Sequence, residues 1–416
     1  MTSNHKYVIL GGGIVAGYAA REFAKKGIAP NDLAIVSADD TVPYERPPLS
    51  KTFLAGEEKT NDLLINDQSF YEDNQIKLYL STPIAKIDTA NSELHTDDGD
   101  HIGYEKLLIA TGSEVNTLTV TGHDLDGVEY LRYLDDAKSI RDMIGGSKNA
   151  VVLGGGYIGM EVAAILAQED LEVTMVFPND RLMEENFFTP EISAFFQQYF
   201  KDRSVQFIMN DVPTRIGGDD SGHVTEVMLK SGTLLKTDLV VAGIGVSPAV
   251  SLFENTTLDF SSRGVITDVY LRSNIDNIYA AGDVAFYRDV LFDKQRQVGH
   301  WENAKAQGQY AAQRMLGADD GPFIKAPYFF SDVFDLSYEF WGETGPLDEV
   351  VYRGAISPEG FSAWWLRDGR VVGAFVMNRP DEERELAREW IEGREAIPPN
   401  VLSDTTVSLK DSKVKI

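Results

Sequence analysis

The sequence predicts an α/β protein with two doubly wound, Rossmann-like dinucleotide-binding domains and a small α+β domain at the C-terminus. Three observations support this prediction. A strand–glycine turn–helix pattern occurs twice, each copy is followed by another apolar run, and alternating aromatic segments replace the pattern near residue 326. Parallel strands joined by helices are typical of a doubly wound sheet. The 416 residues also exceed the usual size of a single hydrophobic core.

Each copy of the pattern places a glycine turn between an apolar strand and a helix, and the two turns are 143 residues apart. Such a turn lets backbone N–H groups approach a pyrophosphate, whose negative charge the helix dipole stabilises. The turn positions are Gly11, Gly13 and Ala16 in the first copy, and Gly154, Gly156 and Gly159, with Tyr157 and Ile158 between them, in the second. The third position tolerates alanine. One copy would be a weak indication, but two in the same context predict two dinucleotide sites.

An acidic residue after the second strand of each unit is predicted to bind the adenosine ribose. Asp39 is the candidate in the first unit. In the second unit Phe177 occupies the usual position, so Asn179 and Asp180 are the candidates. Asp180 favours NADH, whereas Arg181 could bind the 2′-phosphate of NADPH. The choice stays open, with a slight preference for NADH.

Three further apolar strands end in turns that are predicted to line the cofactors. The turn residues are Ala110, Thr111 and Gly112, then Gly243 and Gly245, then Gly282 and Asp283. Residues 300–316 and the charged residues 381–392 predict helices, and segments 338–341, 361–366 and 371–377 predict strands. After Pro398 and Pro399 we expect a tail that lies on the surface or is partly disordered.

The composition excludes several classes of function. The chain has 38 basic and 65 acidic residues, and this charge of −27 disfavours binding to nucleic acids or anionic membranes. It has no cysteine, so redox chemistry requires a bound organic cofactor. Six scattered histidines predict no metal site. The N-terminus lacks a secretory pattern and glycines interrupt the longest apolar run, so we expect a cytoplasmic protein without a membrane span.

The combination of these motifs resembles the FAD-dependent pyridine nucleotide oxidoreductases that lack a redox-active disulfide. The resemblance extends over essentially the whole chain and is carried by residues 11–23, 43–51, 108–112, 154–164, 277–284 and 300–304. Within this family the chain is most similar to monodehydroascorbate reductases, followed by bacterial ferredoxin and rubredoxin reductases and apoptosis-inducing factors. The resemblance implies an FAD domain from residues 1–114 and 247–324, an NAD(P)H domain from 115–246, and a C-terminal domain from 325–416.

The resemblance also implies roles for individual side chains. Lys51 would lie near the flavin N5 and pair with Glu161, which follows Gly159 on the same helix. A pair of this kind could orient the nicotinamide and hold a proton near N5, whereas either charge buried alone would be costly. The other implied FAD contacts are Arg46, Arg132, Asp283, His300 and Trp301.

No residue in the sequence specifies the electron acceptor. The resemblance implies that monodehydroascorbate reductases carry an arginine and a tyrosine at two positions of the acceptor site. At these positions this chain has Lys305 and Phe330. Lysine lacks the planar guanidinium fork and phenylalanine lacks the hydroxyl, so both departures weaken the expectation of ascorbate-radical specificity. An acidic redox protein would instead need a local basic patch on this acidic chain. Candidates for that patch are Arg288, Lys294, Arg296, Lys305 and Arg314.

Three functions therefore stay open. The first is reduction of a small radical or quinone-like acceptor, as in monodehydroascorbate reductases. The second is electron supply to an iron–sulfur or rubredoxin partner. In the third, the chain would be a redox-sensing binding protein like the apoptosis-inducing factors, whose reduced cofactor complex serves as a conformational signal.

Overall fold

A computed structural model describes residues 2–184 and 186–412. The chain divides into two compact units. The first comprises Met1–Pro47, Lys59–Glu114 and Val246–Lys325, and the second comprises Pro48–Glu58, Val115–Gly245 and Ala326–Ile416. The second unit thus contains both the segment predicted to bind NAD(P)H and the predicted C-terminal domain. The division into three domains stays a prediction.

The strands of the first half of the chain are β1 Thr2–Leu10, β2 Leu33–Val36, β3 Lys77–Tyr79, β4 Ile84–Asp88, β5 Glu93–Thr96, β6 His101–Ile109, β7 Ser113–Val115, β8 Val128–Tyr130, β9 Asn149–Leu153, β10 Glu172–Phe177, β11 Gln206–Met209, β12 Pro213–Gly218, β13 Val224–Leu229 and β14 Leu234–Lys236. Those of the second half are β15 Leu239–Ala242, β16 Val246–Pro248, β17 Phe260–Ser261, β18 Gly264–Thr267, β19 Ile278–Ala280, β20 Ala285–Asp289, β21 Lys294–Arg296, β22 Tyr328–Val333, β23 Leu336–Gly342, β24 Glu349–Arg353, β25 Phe361–Arg367 and β26 Arg370–Met377.

The α-helices are α1 Ile14–Lys25, α2 Gln68–Asp73, α3 Leu134–Ile144, α4 Tyr157–Gln168, α5 Pro190–Lys201, α6 Trp301–Met315, α7 Asp381–Glu392, α8 Pro399–Ser403 and α9 Leu409–Ser412. The helices predicted over residues 300–316 and 381–392 are α6 and α7, and the three predicted aromatic strands are β23, β25 and β26. Among the described residues, no helix is long and apolar enough to cross a bilayer.

The first unit is built on a sheet in which β1, β2, β3, β6 and β19 run parallel. The strands β4 and β5 continue this sheet as an antiparallel meander that pairs with the beginning of β6. A second sheet has the order β17-β18-β20-β21. The helices α1 and α6 approach each other closely at Gly308. A Cβ on this glycine would lie only 2.7 Å from the carbonyl oxygen of Val15.

The second unit contains a parallel sheet of order β11-β10-β9-β15-β8, the small antiparallel sheet β12-β13-β14, and the antiparallel sheet β22-β23-β26-β25-β24. The two parallel sheets of the protein correspond to the two predicted βαβ units. An aromatic cluster forms much of the core of this unit, with Tyr338 packed against Phe196 and Phe375. Burial raises the pKa of the Tyr338 hydroxyl well above its ordinary value.

Buried side chains and hydrogen bonds anchor the last segment of the chain. The guanidinium of Arg353 is buried, pairs with Glu383 at 3.1 Å, and donates to the carbonyl oxygens of Leu402, at 3.2 Å, and Val407, at 2.7 Å. Leu402 and Leu409 are fully buried. Most of the side chains of residues 399–410 are nevertheless exposed. The segment therefore lies on the surface as predicted, and its carbonyl groups supply the acceptors that the buried cation requires. Residues 413–416 lie outside the described residues.

Candidate active site

The first glycine turn joins β1 to α1 and has the geometry of a phosphate cradle. Gly11 has φ +122°, and a Cβ there would overlap the carbonyl oxygen of Ala110 at the end of β6, so only glycine fits. Gly13 is the N-cap of α1, and no side chain caps this helix. The nearest atoms to a Cβ on Gly13 would be those of Arg46, at 3.9 Å. This open space above uncapped N–H groups fits a pyrophosphate. Ala16 is buried in α1.

Asp39 lies beside this first cradle, after β2. The N–H of Gly11 donates to the carbonyl oxygen of Val36, the last residue of β2, at 2.8 Å. The Asp39 carboxylate accepts hydrogen bonds from the N–H of Thr41, at 3.2 Å, and from the Tyr44 hydroxyl, at 3.1 Å. An acidic side chain held at this strand end can accept hydrogen bonds from ribose hydroxyls.

The turns after β6 and β19 lie at the same edge of the sheet, because the two strands are parallel and pair directly. The turn residues are Ala110, Thr111 and Gly112 after β6, and Gly282 and Asp283 after β19. The Asp283 carboxylate accepts a hydrogen bond from the Ser113 hydroxyl at 3.1 Å. The N–H of Gly282 donates to the Gln307 side chain of α6 at 2.8 Å. The predicted FAD residues of these turns are therefore neighbours in the first unit.

Trp301 opens α6, with His300 as its N-cap. The indole N–H of Trp301 donates to the carboxylate of Glu45, which also accepts a hydrogen bond from the Tyr18 hydroxyl at 2.6 Å. The ammonium of Lys305 lies 4.6 Å from the centroid of the Trp301 ring. The sequence did not single out Glu45, although it belongs to the 43–51 segment that carries the family resemblance. Burial, together with the Glu45 carboxylate, raises the pKa of Tyr18.

The second glycine turn, between β9 and α4, repeats the geometry of the first. Gly154 has φ +125°, and a Cβ there would overlap the carbonyl oxygen of Gly243 at the end of β15. A Cβ on Gly159 would overlap the carbonyl oxygen of Gly154. Gly156 is the N-cap of α4, no side chain caps this helix, and no described atom lies within 4 Å of a Cβ built on it. This turn therefore also fits a pyrophosphate.

Three further residues predicted to contact a cofactor in the second unit are Tyr157, Ile158 and Gly245. Tyr157 packs its ring 3.9 Å from that of Phe329, measured between centroids, and its hydroxyl donates to Asn186 at 2.9 Å. Ile158 is 38% exposed. Gly245, after β15, has φ +94° and accepts a hydrogen bond from the N–H of Asn116 at 3.0 Å.

Phe177, the last residue of β10, occupies the usual acidic position. This ring is buried beneath the turn, 2.9 Å from the position of a Cβ on Gly155. Further along, the guanidinium of Arg181 lies 3.3 Å from the Asp180 carboxylate and 3.1 Å from that of Glu184. The only positive charge among these three is thus shared between two carboxylates. Asn179 accepts a backbone hydrogen bond from Asn210 at 3.1 Å.

Lys51 and Glu161 form an ion pair in the second unit, with 3.2 Å between the ammonium nitrogen and carboxylate oxygen. Their side chains are only 13% and 4% exposed. The Glu161 carboxylate also accepts hydrogen bonds from the hydroxyls of Ser331, at 2.6 Å, and Ser50. Three donors therefore compensate the buried carboxylate, which is the condition under which a buried charge is tolerated. The sequence did not identify either serine.

Phe330 belongs to the same cluster. Its ring centroid lies 4.5 Å from the ammonium of Lys51, and the carboxylate of its neighbour Asp332 lies 3.9 Å from that ammonium. Arg132, in contrast, lies at the start of α3, where its N–H donates to Asp136 at 2.8 Å. It belongs to the second unit, and its role toward FAD stays a prediction.

Comparison with known proteins assigns the chain to a family. Residues 5–308 match the pyridine nucleotide-disulphide oxidoreductases, and residues 328–413 match a reductase C-terminal domain. The chain belongs to the pyridine nucleotide-disulphide oxidoreductase family. It is an FAD-dependent NAD(P)H oxidoreductase. Because the chain has no cysteine, its chemistry involves no disulfide of its own.

Similar proteins include the monodehydroascorbate reductases of Pisum sativum, 38% identical over 93% of this chain and 94% of the relative, and of Solanum lycopersicum, 36% identical over 92% and 93%. A ferredoxin reductase for the CYP199A2 system from Rhodopseudomonas palustris has a TM-score of 0.93 and 31% identity, covering 98% of this chain and all of that one. Putidaredoxin reductase, in its covalent complex with putidaredoxin, has a TM-score of 0.94 and 28% identity, covering 99% and 98%.

Proposed function

We propose that this flavoprotein oxidises NADH and delivers the electrons one at a time to a small radical acceptor of the monodehydroascorbate class. The observation that carries the proposal is the buried pair of Lys51 and Glu161, compensated by two serine hydroxyls. Bound FAD supplies hydride acceptance and single-electron release. The Lys51 ammonium would serve as a hydrogen-bond donor to the bound flavin, and Glu161 would fix the direction of that ammonium group.

Charge favours a small acceptor over an acidic redox protein. Residues of the predicted basic patch are matched by carboxylates within the first unit. The pairs are Arg288 with Asp293, Arg296 with Asp289 at 3.0 Å, Lys305 with Glu302 at 3.4 Å, and Arg314 with Asp319 at 3.0 Å. A patch neutralised in this way attracts an acidic protein weakly. A small acceptor does not depend on long-range attraction by such a patch.

Electron supply to a redox protein is the second candidate function. It is favoured by the likeness to the ferredoxin reductase and to putidaredoxin reductase, at TM-scores of 0.93 and 0.94. The departures at Lys305 and Phe330 from the residues implied for monodehydroascorbate reductases point in the same direction. The cytoplasmic location stays a prediction, since relatives include both cytosolic and peroxisomal enzymes.

The deciding experiment measures NADH oxidation by the purified flavoprotein with three acceptors. Monodehydroascorbate is generated in the cuvette from ascorbate, and ferricyanide and a ferredoxin coupled to cytochrome c serve as comparisons. The proposal expects rapid turnover with the radical. Turnover with ferricyanide but not with the radical would reject the small-radical assignment, and fast turnover only with ferredoxin would establish the second candidate.

We propose NADH rather than NADPH as the electron donor, because Arg181 is already shared by two carboxylates. A 2′-phosphate at this turn would meet the negative charges of Asp180 and Glu184, which like-charge repulsion disfavours. The double variant Asp180→Asn/Glu184→Gln is expected to shift the ratio of kcat/KM values toward NADPH by about tenfold or more. Asp202→Asn, at an exposed position after α5, is the matched control. An unchanged ratio in the double variant would remove both carboxylates from cofactor selection.

Ser331 is proposed to position Glu161. The variant Ser331→Ala removes one hydrogen bond to a buried carboxylate, and such bonds contribute roughly 1.5–3 kcal/mol. We expect hydride transfer from NADH to slow by about tenfold or more in stopped-flow flavin reduction, with FAD content retained. Ser337→Ala, on the neighbouring strand β23, should react like the unsubstituted protein. Equal rates for the two variants would show that the Ser331 hydroxyl is dispensable.

A further inference from the structure

The hairpin formed by β5 and β6 presents three metal-binding side chains on one face. His95 of β5 lies directly opposite His101 of β6 in the antiparallel register. Glu93 precedes His95 by two residues and therefore points to the same face of the strand. Only five residues separate the two histidines in sequence, but the strand register, rather than that spacing, brings the imidazoles together.

The distances within this group, which we call the Glu93–His95–His101 cluster, are close to those of a coordination shell. One oxygen of Glu93 lies 3.1 Å from His101 Nδ1 and 3.4 Å from His95 Nε2. All three donor atoms lie within 4.8 Å of one another. Zinc–ligand bonds of about 2.0–2.2 Å in tetrahedral geometry require donors about 3.3 Å apart. Two of the three edges therefore already match. The two imidazole rings are stacked, with centroids 4.0 Å apart, so they must rotate for both nitrogens to point at one ion.

We infer that this cluster binds a divalent ion of the zinc class. Two imidazoles and one carboxylate suit Zn²⁺, Ni²⁺ or Cu²⁺, whereas Mg²⁺ and Ca²⁺ require shells of oxygen donors. The Nε2 of His95 is shielded from solvent and makes no hydrogen bond to any residue in the described part of the chain. A metal ion would give this nitrogen a partner, and water would complete the coordination.

The charges around the cluster favour a cation. Lys86 faces His95 across the β4–β5 register, but its ammonium is paired with Asp88 at 2.9 Å, and Asp88 itself faces Glu93. The turn that joins β5 to β6 carries three further carboxylates, those of Asp97, Asp98 and Asp100. The surrounding acidic groups therefore outnumber the basic ones, which raises the local concentration of cations.

The cluster is separate from the proposed cofactor cradle of the same unit. His101 begins β6, whereas Ala110 and the predicted FAD turn follow the other end of this nine-residue strand. At about 3.3 Å per residue, His101 and Ala110 are about 30 Å apart. Metal binding at the cluster is thus expected to stabilise the hairpin while leaving the rate of NADH oxidation unchanged.

The test is calorimetric titration of the untagged, FAD-loaded protein with Zn²⁺, with excess Mg²⁺ present throughout. We expect one Zn²⁺ per chain, and His101→Ala should weaken the affinity at least roughly tenfold, since loss of even an indirect partner of a metal ligand costs 10- to 100-fold. His223→Ala is the matched control, because His223 also contacts a carboxylate, that of Asp126 at 3.0 Å, but is not part of a three-ligand cluster among the described residues.

Glu93→Gln, which conserves size, provides a second variant whose folding is checked by its flavin content. It should also weaken Zn²⁺ binding without changing turnover. Absence of a one-to-one site, equal affinity in His101→Ala and the unsubstituted protein, or displacement by Mg²⁺ would each overturn the inference. Because the readout is metal affinity, these outcomes are independent of which electron acceptor the enzyme uses.

Discussion

Replacement of Lys51 by methionine is expected to slow flavin reduction by NADH by about 100-fold or more, while FAD stays bound. General acid–base groups contribute roughly 10²- to 10⁴-fold to such reactions, and methionine keeps the length of the side chain but removes its proton donor. Glu161 retains its two serine donors in this variant, so its carboxylate keeps partial compensation. Stopped-flow measurement of flavin bleaching under anaerobic conditions gives the rate directly.

Two comparisons make the Lys51 result specific. Lys201→Met makes the same change at an exposed position at the end of α5 and should reduce the flavin at the unsubstituted rate. The double variant Lys51→Met/Glu161→Gln removes both charges of the buried pair, so it should recover stability relative to Lys51→Met but not the rate. Flavin reduction at an unchanged rate in Lys51→Met would remove the ion pair from the reaction and leave it a purely structural feature.

Gly156→Ala is expected to lower the affinity for NADH by roughly tenfold to 100-fold without unfolding the protein. The backbone at Gly156 has φ −91°, which alanine adopts without strain, and a Cβ there meets no described atom within 4 Å. The added methyl group would enter the space assigned to the pyrophosphate, and overpacking of this kind costs about 1–3 kcal/mol. The KM for NADH should rise, while the FAD content and the melting temperature stay the same.

The first cradle gives the reciprocal test. Gly13→Ala has similar backbone geometry and open space, so it should lower FAD retention. Gly145→Ala is the control, because Gly145 also has negative φ and open space, at −64°, but lies at the C-terminal end of α3 outside either turn. If Gly156→Ala left the KM for NADH unaltered, or released FAD as readily as Gly13→Ala does, the assignment of one dinucleotide to each turn would be wrong.

Local sequence patterns were enough to predict the features that depend on neighbouring residues. The two glycine turns, their flanking strands and helices, and the helix of residues 381–392 follow from local patterns of glycine, apolar and charged residues. Lys51 and Glu161 are 110 residues apart, and only their motifs and the resemblance to a known family linked them. The absence of cysteine likewise directed the chemistry to a bound organic cofactor without any structure.

Contacts between residues that are distant in sequence, or that carry no motif, could be identified only in the folded chain. Ser331 and Ser50 are ordinary serines until folding brings both to the Glu161 carboxylate, and the role of Glu45 depends on Tyr18 and Trp301. The paths of the loops likewise bring four residues of the predicted patch next to carboxylates. The register of β5 and β6 places His95 opposite His101. Composition and periodicity specify which face of an element is buried, but not which polar groups meet across space, because those contacts are set by packing among distant segments.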